Sequence, residues 1–128
     1  MTETHERNQL GELRIANEVV AVIAGLAATE VDGVAGMSGG IVGGIAELVG
    51  RKNLAKGVKV EVGEAQAAVD LFVVVEYGVY IPDTAGKIQE NVKRAIENMT
   101  GLEVVEVNVN IQGVHMRTEE KADEARVK

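Results

Sequence analysis

The hydrophobic and polar positions of the chain follow two periods, and each period predicts one type of element. Apolar side chains at every second position, the spacing typical of a strand, occur in segments 11–15, 58–62, 68–77 and 105–111. Apolar side chains at helical spacing follow Asn17 and, later, Pro82. The predicted order is therefore strand, helix, glycine-rich segment, strand, strand, helix, strand.

The first predicted helix begins at Asn17, whose side chain is expected to cap it, and stops before Gly33. Its core-facing stripe is expected to comprise Val19, Ile23, Leu26 and Ala27. The other faces are apolar as well, through Val20, Val22 and Ala24. Because a helix that is apolar on several faces contacts protein on more than one side, Val20 and Val22 are candidate interaction residues.

The second predicted helix begins at Pro82 and Asp83 and ends at Gly101. Its apolar stripe is formed by Ile88, Val92, Ala95, Ile96 and Met99. Two helices that each bury one face, together with strands that need a cover, favour an α+β fold. We expect a two-layer sandwich in which two main helices cover a three- to four-stranded mixed sheet, in the order β-α-β-β-α-β of a split βαβ arrangement.

Charge separates a central region from two polar ends. Residues 1–9 and 117–128 are expected to be solvated tails, because they hold too few large aliphatic side chains to drive burial. Residues 10–116 are expected to form a single domain, with the glycine-rich segment 33–50 inside it.

The strand over residues 68–77 is unusual because both of its faces carry apolar side chains. Phe72 and Val74 lie opposite its main apolar row, so the strand is either covered on both faces or presents an apolar patch to a partner. Covering on both faces is the commoner arrangement and is favoured. Asn108 and Asn110 in the last strand form an uncharged, hydrogen-bonding row, which suits a protein partner but is also typical of an ordinary solvated sheet face.

The glycine-rich segment has three interpretations, of which a mobile loop with a short helix is favoured. A close-packed element for self-association is the second, and a ligand-binding loop is the third. The five glycines concerned are Gly36, Gly39, Gly40, Gly43 and Gly44. Their spacing fits neither the dinucleotide-binding fingerprint nor a phosphate-binding loop.

Catalytic chemistry has few candidate residues in this sequence. The chain has no cysteine, and Ser38, the one serine, has no histidine nearby in the sequence. Asp70 and Glu76 share a strand face but lie about 20 Å apart at the rise of a strand, which is too far for paired acid-base work. We therefore expect no enzymatic activity, no metal site and no cofactor.

Charge and composition also limit the partners. A net charge of -7 repels a phosphate backbone, and three aromatic residues are too few for base stacking, so nucleic acid is not an expected partner. Residues 1–9 hold no apolar stretch, so we expect no secretory signal, and the longest apolar run, residues 19–28, is too short to span a bilayer. We expect a cytoplasmic protein without direct membrane insertion, which reaches a membrane only through a partner.

Several segments, taken in order, resemble one protein family. They are Ile15-Ala16-Asn17-Glu18-Val19-Val20, Glu30-Val31-Asp32-Gly33-Val34-Ala35-Gly36-Met37, Lys56-Gly57-Val58-Lys59-Val60, Val74-Val75-Glu76-Tyr77-Gly78, Ile88-Gln89-Glu90-Asn91-Val92-Lys93, Met99-Thr100-Gly101-Leu102 and Asn108-Val109-Asn110-Ile111-Gln112-Gly113-Val114. The ordered set resembles the alkaline shock protein family of Gram-positive bacteria, also described as the envelope stress response family, over residues 10–116.

The resemblance implies a small cytoplasmic protein without known catalysis. It implies a role in envelope stress, in which some members are held near the membrane by a small anchor protein, or a role in the control of acetyl-CoA carboxylase and fatty-acid synthesis. Together with the absence of catalytic chemistry and the extra apolar faces at Val20, Val22, Phe72 and Val74, it favours a self-associating protein-interaction module in envelope homeostasis, and the regulator of the carboxylase is the alternative. It supplies no catalytic residues. The expected partners are therefore further copies of the chain and either the anchor protein or the carboxylase.

Overall fold

The observed elements confirm the α+β architecture that the sequence predicts. A computed structural model describes the backbone of residues 3–8, 10–39 and 55–116, and the side chains of residues 10–39 and 55–116. In chain order the elements are β1 (Glu3–Asn8), β2 (Gly11–Ala16), α1 (Asn17–Thr29), β3 (Val34–Met37), β4 (Val58–Val62), β5 (Gln66–Glu76), α2 (Ile81–Thr100) and β6 (Glu103–His115).

The central strand of the main sheet is β5. Strands β4 and β3 pair antiparallel with the same edge of β5, one after the other, and β6 pairs parallel with its other edge. The transition from β4 to β3 falls at Phe72, whose N–H donates to the carbonyl of Gly57 at 2.8 Å and whose carbonyl accepts from the N–H of Ser38 at 2.7 Å. The sheet is therefore mixed, as predicted.

The core lies between one face of this sheet and the two helices. The alternate residues of β5 that face the helices are each at most 1% exposed: Val69, Leu71, Val73 and Val75. They pack in one cluster with Val20, Ile23, Ala24, Ala27, Ala28, Ile88, Val92 and Ile96 of the helices. Burying one large aliphatic side chain of this kind contributes about 1.5–3 kcal/mol, so this layer is the main source of stability.

Helix α1 buries only half of the predicted stripe, because Ile23 and Ala27 lie in the core at 8% and 3% exposure. Val20 is completely buried, whereas Val19 and Leu26, both expected in the core, are each 47% exposed. Asn17 is the first residue of the helix rather than its cap, since Ala16 occupies the cap position in an extended conformation. The prediction was wrong at Val19 and Leu26 because α1 is apolar on several faces, so its sequence does not fully select the face that packs.

Helix α2 begins and ends as predicted. Pro82 lies in its first turn, and Gly101 ends it in the left-handed conformation at φ 77°, with its N–H bonded to the carbonyl of Glu97. Met99 was expected to extend the buried stripe but is 71% exposed, while Leu102, just beyond the cap, is 4% exposed. The last core contact of the helix is therefore made by Ile96, and the chain returns to the core after the glycine.

Side chains from α2 bind the backbone of β6. The Gln89 side-chain amide donates to the carbonyl of Val107 at 3.0 Å, and Lys93 Nζ donates to the carbonyl of Val104 at 2.9 Å. Glu97 Oε2 accepts from the N–H of Val104 and from Lys93 Nζ, both at 2.9 Å. Because these three side chains follow one another at intervals of four residues, they lie on one side of α2 and together bind the backbone of β6 at Val104 and Val107.

The predicted alternation in the last strand breaks at two places. The pairing with β5 shifts register between Val104 and Glu106 and again between Ile111 and Gly113. Each shift leaves one residue of β6 unpaired, which is a β-bulge. Val105 lies in the first bulge and is 54% exposed, so its predicted place in the core-facing row was wrong.

We expect Lys93→Met to raise the pKa of Glu97 toward its ordinary value. The hydrogen bond from Lys93 is the largest cause that lowers the pKa of Glu97, followed by the N–H of Val104. Because the carboxyl pKa is lower in the folded state, this group stabilises the fold above its unfolded-state pKa, and the contribution is lost as pH falls through the folded value. Carboxyl-carbon NMR titration measures the change. Lys87→Met, which removes the partner of Asp83 at 3.3 Å, is the control and leaves Glu97 unchanged.

The N-terminal part of the chain differs from the prediction. Residues 3–8, expected to be part of a tail, form β1, which pairs antiparallel with β2 from Glu3↔Ala16 to Asn8↔Gly11. Strand β2 therefore belongs to a separate two-stranded sheet and not to the main one. The fourth strand of the main sheet is instead β3, which lies at the start of the glycine-rich segment, where glycine content hides the strand pattern.

Candidate functional site

The side of the main sheet opposite α1 and α2 is not covered by any described helix. We call it the outer sheet face, and its centre is formed by Phe72 and Val74 of β5. Both are half-buried, and Phe72 pairs with Asn110 of β6 while the neighbouring Asp70 pairs with Asn108. The structure thus brings four of the six candidate interaction residues onto one surface. Covering on both faces, the favoured arrangement for β5, has no support within the described residues.

The two asparagines are less available than the sequence indicates. The side-chain amide of Asn108 donates to Asp70 Oδ1 at 2.7 Å and to Glu106 Oε2 at 3.0 Å. The amide of Asn110 donates to the carbonyl of Leu71 at 3.1 Å. Their amide donors therefore hold neighbouring groups of the same sheet in place, and a partner would meet mainly acceptor atoms here.

A lysine contacts the aromatic ring at the centre of the face. Lys59 of β4 pairs with Asp70, and its Nζ lies 5.6 Å from the centroid of the Phe72 ring. This is within the range of a cation–π interaction. Phe72 therefore combines an apolar surface with a place for a cation.

One end of the face carries a histidine and a carboxylate. Glu76 and His115 pair across β5 and β6, with Glu76 Oε1 3.0 Å from His115 Nδ1 and side chains that are only 20% and 23% exposed. His115 lies beyond the segment 105–111 in which the sequence alternates, and it is the final residue of β6. A hydrogen-bonded pair of this type orients both groups, but acyl transfer would also need a nucleophile within reach of the imidazole. In the described part of the chain, no group of three or more His, Asp or Glu side chains could hold a metal ion.

The two candidate residues of α1 do not join the outer sheet face. Val20 lies in the core at 0% exposure, so its prediction as an interaction residue was wrong. Val22 is partly exposed. Because the spacing i, i+3, i+7 follows one side of a helix, Val22 lies between Val19 and Leu26, both 47% exposed, on an outer apolar stripe of α1.

The glycine cluster lies only partly within the described residues. Gly36 belongs to β3 and pairs with Val74, and Gly39 has a φ of +85°, which glycine adopts readily. Gly40, Gly43 and Gly44 lie outside the described residues, so the three interpretations of the cluster stay predictions.

Sequence reasoning missed the acidic surroundings of Phe72 and Val74. Pairing in register places Glu61 of β4 beside Ala68, Glu106 of β6 on its other side, and Glu103 beside Gln66. Residues directly opposite one another in a sheet share a face, so these carboxylates lie on the outer sheet face. The only sequence signal was a charged residue at alternate strand positions, which is equally typical of any solvated face.

A bilayer-spanning segment is not among the described elements, since neither α1 nor α2 is both long enough and apolar enough to cross a membrane.

Comparisons with known proteins agree on one family. The model of the alkaline shock protein 23 family, described as having a cell envelope-related function, matches residues 5–116. The uncharacterized protein YqhY of Bacillus subtilis (strain 168) is 44% identical over 123 residues, which cover 96% of this chain and 90% of that protein. A stress response regulator gls24 homolog of Streptococcus pyogenes is 36% identical over 136 residues, covering 99% of this chain and 75% of the relative.

A weaker similarity exists to a solved structure. A variant of MamM-CTD superposes with a TM-score of 0.46 at 17% sequence identity, covering 75% of this chain and 95% of the other.

Proposed function

Because this chain belongs to the alkaline shock protein 23 family, whose function is cell envelope-related, we propose that it is a non-enzymatic protein-interaction module in cell-envelope stress response and homeostasis. The family match confirms the resemblance to alkaline shock proteins, and a relative that carries the name of a stress response regulator supports the same area of function. In this proposal the protein self-associates and a partner protein recruits it from the cytoplasm to the envelope.

The observation that carries the proposal is the outer sheet face. Phe72 and Val74 sit half-buried at the centre of a polar and charged rim, which is the arrangement of many protein interfaces. In a sheet face that contacts only water, both of these outward-facing positions would more commonly be polar. The surface therefore suits capture of a partner better than it suits contact with water alone.

Self-association is assigned to a second surface, the outer apolar stripe of α1. Val19, Val22 and Leu26 leave apolar area exposed on a helix that is otherwise packed against the sheet. Such a stripe on one copy is self-complementary with the same stripe on another, as in a two-fold dimer. The two proposed activities thus use different faces of the domain, so one does not block the other.

The alternative role that the resemblance implies, control of acetyl-CoA carboxylase, is not supported by the described residues or by the names of the relatives. The small membrane-anchor protein is the partner that agrees better with an envelope-related family.

The experiment compares Phe72→Glu with Leu26→Glu in two measurements. We expect Phe72→Glu to lose at least tenfold in capture of the native partner from the host, because a buried, unpaired charge at an interface costs more than about 1.4 kcal/mol. Leu26→Glu is expected to retain capture but to reduce the mass by light scattering at micromolar concentration to that of a monomer. Val74→Thr, which keeps the shape of the side chain, repeats the first test with less risk to folding.

Met99→Glu, at a position that is 71% exposed on α2, is the control for an added charge and is expected to change neither measurement. Circular dichroism shows that each variant is folded. The proposal fails if the wild-type protein is a strict monomer and Phe72→Glu captures every partner unchanged.

A further inference from the structure

We propose that the outer sheet face binds a partner segment in which an aliphatic or aromatic side chain is flanked by lysine or arginine residues. The inference rests on the proposed function, since it specifies the chemistry of the partner that the same face would capture.

Charge is the first argument. The strand register places five carboxylates on this face: Glu61, Asp70, Glu76, Glu103 and Glu106. Among the described residues of the face, Lys59 is the only lysine or arginine, and its Nζ lies over Phe72. The whole chain has a net charge of -7, so this face holds a large part of the acidic excess. A basic partner would be attracted and oriented by it.

The arrangement of these carboxylates is the second argument. Asn108 donates to Asp70 and to Glu106 at once, so an uncharged amide holds two carboxylates near each other without neutralising either. A partner's guanidinium or ammonium group would supply the charge that the amide does not. At the opposite end of the face, Glu76 is held by His115. Acidic groups therefore lie on both sides of the apolar centre.

Spacing sets the size of the partner segment. Asp70 and Glu76 are six residues apart on β5 with Phe72 and Val74 between them, which corresponds to about 20 Å of extended strand. A segment of about six to nine residues, with basic groups at its ends and apolar side chains at its centre, matches that distance. The ring of Phe72 already accepts one cation from Lys59, which agrees with a face that favours positive charge.

A second copy of the chain does not fit this face. An identical face on another molecule would bring the same carboxylates together, and like charges across an interface are strongly unfavourable. The occupant is therefore a different, basic protein segment.

The test uses the full chain and a fluorescein-labelled peptide, acetyl-Lys-Lys-Ser-Leu-Ser-Leu-Ser-Lys-Lys-amide, with fluorescence anisotropy at low ionic strength. We expect saturable binding that weakens as salt is added, and no binding of the matched peptide in which glutamate replaces every lysine. Asp70→Asn with Glu106→Gln keeps the acceptor oxygens for Asn108 and is expected to weaken binding about fivefold, the size of two partly exposed ion pairs.

Two further variants separate charge from damage to the fold. Glu30→Gln with Glu90→Gln changes the net charge equally at two exposed positions off this face, and it is expected to leave the affinity unchanged. Lys59→Gln removes the only cation of the described face and is expected to tighten binding about twofold, whereas a merely disturbed surface would bind more weakly.

Four results would overturn the inference. The basic peptide could fail to bind, the acidic peptide could bind equally well, or the control variant Glu30→Gln with Glu90→Gln could lose as much affinity as Asp70→Asn with Glu106→Gln. The fourth is that Phe72→Glu converts a dimer of the wild-type protein into a monomer. If the peptide results overturn the inference but Phe72→Glu still fails to capture the native partner, the proposed function stands and only the proposed chemistry of the partner is wrong. If the peptide binds as expected but Phe72→Glu captures every native partner unchanged and the chain is monomeric, the proposed function is wrong while the basic-segment site remains.

Discussion

Leu71→Ala is expected to lower the free energy of unfolding by about 3 kcal/mol. Leu71 is 0% exposed at the middle of the central strand, between the sheet and both helices, so truncation removes buried apolar atoms and leaves a cavity that the flanking strands cannot fill. For a domain of this size the midpoint of thermal unfolding should fall by about 10–15 °C. Urea denaturation measures the free energy directly, and the slope with denaturant should stay unchanged.

The matched control is Leu13→Ala, which deletes the same atoms from a side chain that is 50% exposed on β2. We expect a loss below about 1 kcal/mol, because about half of this side chain is already in contact with water. Equal effects at Leu71 and Leu13 would show that the core does not lie between β5 and the helices.

Gly57→Ala is expected to destabilise the protein by about 2 kcal/mol, although it adds only one methyl group. A Cβ at Gly57 would lie 2.6 Å from the carbonyl oxygen of Phe72 and 3.2 Å from the side chain of Met37. That carbonyl accepts from Ser38 and Gly57 accepts from the N–H of Phe72, so the backbone cannot move without straining both bonds. Partner capture through Phe72 should weaken in parallel, since its backbone is displaced.

Gly86→Ala provides a control with the opposite sign. Gly86 lies inside α2, and a Cβ there would meet no atom within 4 Å. Alanine is a better helix former, so we expect a gain of about 0.5–1 kcal/mol. Chemical denaturation of the pair is decisive: if Gly57→Ala is as stable as the wild type within about 0.5 kcal/mol, the tight approach between β4 and β5 does not exist.

The sequence predicts those elements in which the hydrophobic period and the residues at the ends of the segment indicate the same structure. Helix α2 has one apolar stripe, a proline in its first turn and a glycine at its end, and only Met99 departs from the prediction. In β5 the alternation separates the buried row from Phe72 and Val74 without error. These segments have a single way to bury their apolar side chains.

The errors come from interactions between segments that are distant in sequence. Helix α1 is apolar on several sides, so only the sheet decides that Val20 faces inward and Val19 outward. The bulge at Val105 depends on how β6 pairs with β5, which no local pattern reveals. For the same reason the sequence identified Phe72, Val74, Asn108 and Asn110 separately, but not the acidic rim that the register assembles around them.

The contacts between α2 and β6 limit how molecules of this protein can assemble. An outer strand with free N–H and carbonyl groups is a template on which a strand of another molecule can add, which leads to open-ended fibres. Here Gln89, Lys93 and Glu97 occupy backbone groups of Val104 and Val107, and the two bulges interrupt the regular spacing of the strand. An incoming strand would have to displace all three side chains to extend the sheet across this region. At Val104 and Val107, contact with another molecule would therefore have to be made by side chains and not by an added strand, which disfavours open-ended growth from this part of the edge.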